Sequence, residues 1–310
     1  MIISTIASHS SLQILLGAKN EGFQTRLYIK PRRKAFYSSI PLVDELVVTE
    51  DMARILNDDG IVIPHGSFVA YLGIDAIENS KAKFFGNKRF LKWETTFELQ
   101  DRALEKAGIP SVEVVESEDV KPDELYFVRI EGPRGGSGHF MAYGRELEEK
   151  LEKISEPYRI ERFISGAYIY VHFFYSPIMD RLELFGVDER LVIADANKRR
   201  PFKSLPYIIV GNKAVALRES LLPKLYDYGL AFVEAMKELE RPGVIGPFAL
   251  HFAYDGDFHC MGFASRIDGG SNASHWYSAL YWGKSMFMGE RIAREIRMAI
   301  NEDRLEEVIT

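Results

Sequence analysis

The fold is decided by residues 128–141, which read Val128-Arg129-Ile130-Glu131-Gly132-Pro133-Arg134-Gly135-Gly136-Ser137-Gly138-His139-Phe140-Met141. This is a glycine-rich turn between two apolar runs. Gly135, Gly136 and Gly138 lack a Cβ atom, so the backbone can adopt positive φ and direct successive N–H groups at an anion. Arg129 and Arg134 supply positive charge. Because most glycine-rich turns are only tight hairpins, the stretch predicts a phosphate-covering loop only together with its surroundings.

Composition excludes several classes of protein. The chain has 310 residues, 46% hydrophobic and 27% charged, which is enough to fill the cores of two domains. Its 39 Lys and Arg against 45 Asp and Glu give a net charge of -6, so no general basic surface for nucleic acid is expected. The single cysteine, Cys260, excludes a disulfide framework and a multi-thiolate zinc site. With no membrane-spanning run and no basic leader, we expect a cytoplasmic protein without a membrane partner.

The first residues predict a parallel α/β sheet. Residues 2–7 form an apolar strand, residues 12–18 repeat at helical spacing, and residues 24–29 return as a strand after Gly22. Ligands of such sheets bind beyond the carboxyl ends of the strands. His9 and Ser10 lie at that position, where the alternative interpretation is simple capping of the helix.

A second strand end repeats this pattern. Residues 61–64 read as a buried strand and are followed by His65-Gly66-Ser67-Phe68. Two strand-end loops that carry His, Ser and Gly and face one crevice favour a ligand site more than either loop alone. The first domain is expected to close near residues 85–88.

The remaining chain predicts two further units. A helix over 93–107, strands over 112–115, 126–130 and 139–142, and a charged helix over 145–154 make a small α+β lid. Long strands over 167–174 and 181–187, a helix over 220–239 and a hairpin around Asp255-Gly256-Asp257 make a C-terminal α+β unit. The basic run Lys198-Arg199-Arg200 is either a solvated loop or a phosphate clamp. The predicted domains are therefore 1–92, 93–165 and 166–310.

The order of these elements resembles the ATP-grasp superfamily, and the chain as a whole resembles the archaeal family of formate-dependent 5-formaminoimidazole-4-carboxamide ribonucleotide (FAICAR) synthetases. The resemblance runs nearly end to end. Its landmarks are Ser8-His9-Ser10-Ser11-Leu12-Gln13-Ile14, Gly66-Ser67-Phe68-Val69-Ala70, Phe85-Gly86-Asn87, Ala107-Gly108-Ile109-Pro110, Phe174-Tyr175-Ser176, Val210-Gly211-Asn212, Leu217-Arg218-Glu219-Ser220-Leu221-Leu222, Gly246-Pro247-Phe248 and Arg266-Ile267. It implies an ATP-grasp fold, with a Rossmann-like N-terminal parallel-sheet domain, an α+β lid and a C-terminal α+β domain.

The resemblance also implies an activity in purine (IMP) biosynthesis. The family joins formate to the amino group of aminoimidazole carboxamide ribonucleotide (AICAR) as ATP is cleaved, through formyl phosphate. A homo-oligomer is expected, as families of this kind are commonly symmetric. The implied substrate-binding residues are His9, Ser10, Ser67, Asn197 and Arg218. The implied ATP-binding residues are Arg129, Gly132, Arg134, Gly135, Gly136, Ser137, Gly138, Glu161, Phe163 and Ile164.

The chain departs from the family pattern at several positions, four of which change a charged or metal-binding residue of the site. Arg129 stands where the family has lysine, and the usual glutamate of the linker strand falls at Arg162, beside Glu161. The two carboxylates that hold the family's metal fall at His251 and Gly262, so Mg²⁺ or Mn²⁺ is not expected to be held there as in the family. No catalytic residue is assigned.

Three functions are compatible with these departures. The first is an active ligase, and the second is an ATP- and ribonucleotide-binding paralogue that acts as a sensor, a partner subunit or an enzyme for another substrate. The third is an α/β scaffold whose glycine turns face solvent without any small-molecule site. ADP release with and without formate separates the first two.

Overall fold

The N-terminal part of the molecule is a parallel sheet flanked by helices. The computed structural model describes residues 1–8, 10–132, 139–192 and 209–310. Strands follow in the spatial order β3-β2-β1-β4-β5, and every neighbouring pair is parallel. Their bounds are β1 Ile2–Ile6, β2 Gln24–Ile29, β3 Glu45–Val48, β4 Ile61–Val62 and β5 Lys83–Phe84, with helices α1 Ser11–Asn20, α2 Lys34–Ser38, α3 Phe68–Leu72 and α4 Ile74–Glu78. The strand order reverses at β1, so the topological switch point lies between β1 and β4.

The lid is an antiparallel sheet with the strand order β6-β9-β7-β8. Its elements are β6 Val114–Val115, β7 Leu125–Ile130, β8 Phe140–Tyr143, α6 Gly144–Leu151 and β9 Tyr158–Arg162, and helix α5 Phe97–Lys106 precedes them in the chain. Side chains alternate along β7: Tyr126 and Val128 are fully buried in the lid core, whereas Phe127 and Arg129 point to the other face. The pleat therefore delivers Arg129 to the face that meets the rest of the molecule.

The C-terminal part is a second antiparallel sheet, ordered β12-β11-β10-β13-β14 among the described residues. Its elements are β10 Ala167–Ser176, β11 Arg181–Val192, β12 Ile209–Ala214, α7 Leu222–Leu239, β13 Gly246–Tyr254, β14 Phe258–Ala264, α8 Ala279–Trp282 and α9 Met288–Asn301. Phe173, Phe232 and Phe248 stack in its core, with ring centroids 5.1 and 5.3 Å apart. Helix α5 adds Ala103 and Leu104 to the same core, so it packs on the C-terminal sheet rather than in the lid core.

One predicted helix differs from the observed structure. The predicted helix over 93–107 is split into a 3-10 segment, Lys88–Glu94, and α5. The split occurs because the Thr96 side chain accepts a hydrogen bond from Leu99 N, which caps a new helix at that point. Two further 3-10 segments are Met52–Asn57 and Leu305–Glu307.

Helices α1 and α9 join the two ends of the chain. A Cβ atom on Gly17 would lie 2.3 Å from Glu290 N, and one on Gly289 would lie 2.1 Å from Gln13 O. Beside this contact, Arg291 is fully buried and pairs with Glu183 at 3.0 Å and Glu295 at 2.8 Å. The N-terminal sheet and the C-terminal sheet thus share one apolar core. None of the helices in the described ranges has the length and apolar character needed to span a bilayer.

Candidate functional site

A cavity of about 660 Å³ lies where the three parts of the molecule meet. Ser67 and Tyr71 line it from the N-terminal part, Phe127 and Arg129 from the lid, and Tyr170 from the C-terminal sheet. This volume falls within the range of small-molecule sites. The three-sided wall has aromatic rings beside guanidinium groups, a combination that suits a nucleotide.

The two strand-end loops predicted to face one crevice do meet. Ser8 Oγ and Ser67 Oγ are 2.6 Å apart. His65 Nε2 lies 2.7 Å from the carbonyl oxygen of Ile6, and Ser67 N donates to His65 Nδ1 at 3.3 Å. These contacts lie at the end of β1 and β4, the switch point of the sheet. His9 lies outside the described residues.

Ser10 is the N-cap of α1 and is fully buried. Its side chain makes no capping hydrogen bond, and its Oγ has no partner among the described residues. A buried hydroxyl without a partner costs free energy. Ser10 therefore brings an unused hydrogen-bonding group to the loop that carries Ser8.

Arg129 connects the lid to the C-terminal sheet. One of its terminal nitrogens donates to Glu161 Oε1 at 3.1 Å and to the carbonyl oxygen of Met261. The other donates to Gln100 Oε1 at 3.3 Å. The Glu161 carboxylate, only 2% exposed, also accepts from Arg159 Nε at 2.6 Å. Glu161 thus holds the Arg129 guanidinium in the cavity wall.

The remaining predicted nucleotide contacts are spread more widely. Gly132 lines the cavity with a φ of +111°, and Tyr168 donates from its hydroxyl to Ile164 O at 2.9 Å. The Phe163 ring lies 6.1 Å from the Tyr168 ring, which lines the cavity. Arg218 is exposed, outside the described cavity wall. The predicted contacts outside the described residues are Arg134, Gly135, Gly136, Ser137, Gly138 and Asn197.

Arg162, at the family's glutamate position, faces away from this wall. Its Nε donates to Glu113 at 2.6 Å and a terminal nitrogen donates to Glu124 at 2.9 Å. Glu161 and Arg162 are neighbours on β9, so their side chains leave the strand on opposite faces. The cavity side of β9 therefore has its carboxylate one residue earlier than the family pattern.

A chain of alternating carboxylates and guanidiniums forms the C-terminal wall. Glu94 accepts from Arg266 Nε at 3.2 Å, and Arg266 donates to Asp268 Oδ1 at 3.0 Å. Arg190 donates to the other oxygen of Asp268. Burial by itself would raise the pKa of Asp268, but Arg190, His251 and Arg266 hold it well below its usual value. Asp268 is therefore ionised and fully engaged.

This network of charged side chains continues below the cavity to the buried His172. Arg190 Nε lies 3.3 Å from Asp188 Oδ2, which also accepts from Asn212 at 2.7 Å. The other oxygen of Asp188 is 2.6 Å from His172 Nε2. Arg190 and Asp268 were not among the predicted site residues. The period-two spacing of Asp188 and Arg190 on one strand was a usable signal, because it places both side chains on the same face.

The two predicted metal positions face each other. His251 on β13 and Gly262 on β14 are paired residues. His251 Nε2 is buried without a hydrogen-bond partner among the described residues, 3.6 Å from Asp268 Oδ2. Burial lowers the pKa of His251 to about 4, so the imidazole is neutral at pH 7. A Cβ on Gly262 would lie 2.7 Å from Gln100 Oε1 and 3.3 Å from a terminal nitrogen of Arg129.

These donors do not fit a magnesium or manganese ion. Both ions are held chiefly by oxygen ligands. Position 251 offers an imidazole, position 262 offers no side chain, and Asp268 is already bound by two guanidiniums. Across the described ranges, no group of three or more His, Cys, Asp or Glu side chains could hold a metal ion.

Comparison with known proteins agrees with the geometry. One family model, described as a domain of unknown function (DUF1297), matches residues 146–310, and another, a protein of unknown function (DUF1246), matches residues 3–115. The chain aligns over 87% of its length with an N5-carboxyaminoimidazole synthetase from Staphylococcus aureus complexed with ADP, covering 71% of that chain at a TM-score of 0.64 and 12% identity. This likeness shows the fold, and the predicted ATP-grasp architecture is confirmed.

Two relatives are much more similar. The crystal structure of an IMP biosynthesis protein PurP from Thermococcus kodakaraensis has 71% identity and a TM-score of 0.90, covering 99% of this chain and 100% of that one. The 5-formaminoimidazole-4-carboxamide-1-(beta)-D-ribofuranosyl 5'-monophosphate synthetase of Sulfolobus acidocaldarius is 40% identical over 332 aligned positions, covering 99% of each chain. With such identity along its whole length, the chain belongs to the FAICAR synthetase family.

Proposed function

We propose that the chain is an ATP-dependent ligase of purine nucleotide biosynthesis, which forms FAICAR from AICAR, formate and ATP. The observation that carries this proposal is the shared cavity: the serine loops at the switch point form one side, and the lid arginine forms the other. A nucleotide substrate on the N-terminal side and ATP beneath the lid would then meet in one enclosed space. Membership of the family supplies the identity of the substrates.

The chain's own residues suit three tasks in this reaction. Ser67 lies at the sheet crevice, where its hydroxyl can orient the ribonucleotide. Phe127 and Tyr168 are aromatic residues of the cavity wall that can contact a base, whereas the Tyr170 ring is covered by Arg190 at 3.9 Å. Arg129, Arg190 and Arg266 present guanidiniums to phosphate oxygens. ATP supplies the activation of formate, and these cations stabilise negative charge that develops on the phosphates.

The test is a coupled assay of ADP release by the purified chain. ADP release should require AICAR and formate together with ATP, and FAICAR should accumulate in equal amount. A chain that binds neither AICAR nor ATP would overturn the proposal.

A second function is favoured by the metal positions. Because His251 and Gly262 replace both family carboxylates, the chain could be a nucleotide-binding paralogue with lost or altered catalysis. This candidate predicts that calorimetry detects ATP and AICAR binding while no FAICAR forms. The same two measurements therefore separate the candidates.

A further inference from the structure

The segment Lys30-Pro31-Arg32-Arg33-Lys34 places four cations within five residues of a chain whose net charge is -6. It directly follows β2. Strands β2, β1 and β4 are parallel neighbours, so their carboxyl ends lie along the same edge of the sheet. The basic segment therefore borders the crevice that holds Ser8 and Ser67.

Two contacts fix the basic segment against this crevice. Lys30 Nζ lies 5.4 Å from the centroid of the Tyr71 ring, and Tyr71 lines the cavity. Arg33 donates to the carbonyl oxygen of Ala7 at 2.5 Å, and Ala7 immediately precedes Ser8. Lys30 and Arg33 are thus half-buried at the mouth of the cavity.

The charges of the basic segment are not neutralised locally. Within the described ranges, no carboxylate forms an ion pair with Lys30, Arg32, Arg33 or Lys34. Arg32 and Lys34 are exposed to solvent. This differs from the arginines deeper in the cavity, each of which is paired with a carboxylate. The mouth, rather than the interior, carries the uncompensated positive charge.

Hydrogen-bond donors lie beside these cations. The ten-residue helix α1 begins at Ser11; of its first four N–H groups, those of Ser11 and Ile14 donate to the carbonyl oxygens of Ser8 and Ser10, and the other two have no partners within the helix. Ser10 contributes its unpartnered buried hydroxyl at the same point. Cations, a helix N-terminus and hydroxyls together form the arrangement that binds a phosphate dianion.

We propose that the basic segment binds the phosphomonoester of the nucleotide substrate at the mouth of the cavity, with Lys30 and Arg33 in direct contact and Arg32 and Lys34 attracting the dianion. The inference rests on the proposed function, because it assumes a ribonucleotide in the crevice. It assigns the phosphate end to segment 30–34 and leaves the base and ribose to the serine loops. A long-range attraction of this kind acts mainly on the association rate and is screened by salt.

The test compares AICAR with its nucleoside, which lacks the phosphate. Calorimetry should show that Lys30→Gln weakens AICAR binding at least tenfold and leaves nucleoside affinity within twofold. Lys30→Arg should keep most of the AICAR affinity, because it keeps the charge. Lys153→Gln is the matched control, since this exposed lysine pairs only with exposed Glu149 in the described structure and its loss changes the net charge equally.

Arg32 and Lys34, which are both exposed, provide a second test that does not disturb packing. Arg32→Gln with Lys34→Gln should slow AICAR association severalfold at low salt and flatten its salt dependence. Equal losses for AICAR and the nucleoside, or unchanged AICAR binding in both basic-segment variants, would overturn the inference while the proposed function stands. Wild-type protein that binds no AICAR would overturn both.

Discussion

Gly262 and Arg129 are coupled at the scale of single residues. Gly262 has a φ of +142°, which L side chains rarely adopt, and the space above its Cα is occupied by Gln100 and Arg129. The missing carboxylate at this position and the arginine at the lid position are therefore two parts of one local arrangement. A glutamate restored at residue 262 would have to displace the link between the lid and β14.

We expect Gly262→Ala to lower the free energy of unfolding by about 1–3 kcal/mol, from positive φ and from the contact with Gln100. Gly256→Ala is the matched control, because Gly256 has a φ of +131° with nothing within 4 Å of its Cβ position. Denaturant unfolding of both variants separates strain from crowding. Equal losses would show that crowding at residue 262 is negligible.

The half-buried His251, whose Nε2 atom is fully buried, makes stability depend on pH. Its pKa of about 4 lies below its ordinary value of 6.5, so the folded chain binds this proton less readily than the unfolded chain. The penalty is absent above pH 6.5 and grows as the pH falls towards 4, by at most ~1.4 kcal/mol per pH unit. His251→Gln should therefore lose less stability than wild type between pH 7 and pH 4.5 in denaturant titrations. Parallel losses in the two proteins would contradict the assignment.

At the scale of elements, strand β7 shows what the sequence can predict. Its apolar residues predicted the strand, and the family resemblance implied Arg129 as an ATP-binding residue; the period-two alternation of side chains in the strand explains why Arg129 lies on the cavity face. The meeting of the two strand-end loops was also predictable, because the carboxyl ends of parallel strands lie at one edge of a sheet.

Contacts between elements distant in the sequence could not be predicted in this way. Arg129 reaches Met261 across 132 positions, and Asp268 joins Arg190 across 78. Such pairs depend on how whole sheets pack, which local periodicity does not encode. The split of the helix over 93–107 was missed because capping by Thr96 competes with continued helix formation.

Strands β7 and β9 supply a matched pair of arginines for testing the lid. Arg129→Met should weaken ATP binding at least tenfold, since it removes a cavity guanidinium and frees the lid from β14. Arg162→Met removes an equally charged lid residue that pairs with Glu113 and Glu124 on the opposite face, and should leave ATP affinity unchanged. Calorimetry on the two variants makes the comparison. Similar affinities for ATP in both would remove Arg129 from the nucleotide site.

At the scale of the whole molecule, the replaced metal positions predict a changed dependence on magnesium. ATP affinity should differ by less than about threefold between excess Mg²⁺ and EDTA, because the described wall offers guanidiniums instead of two free carboxylates. The Sulfolobus acidocaldarius relative is the natural control. Formate-dependent turnover should be at least ~10²-fold slower than that of the relative, which corresponds to a loss of ~2.7 kcal/mol of transition-state stabilisation. Brisk magnesium-dependent FAICAR formation would contradict this.

The contact between Gly17 and Gly289 has a mechanical consequence. Any side chain at either position would push the two helices apart. Because Gly17 lies on α1, the helix that follows Ser8, and Gly289 is the second residue of α9, that displacement would shift the Ser8 loop relative to the C-terminal part of the molecule. The two glycines therefore allow the closest approach of α1 and α9, and this approach sets the distance between the serine loops and the C-terminal wall. With that distance fixed, we expect the lid to be the part that moves when ligands exchange.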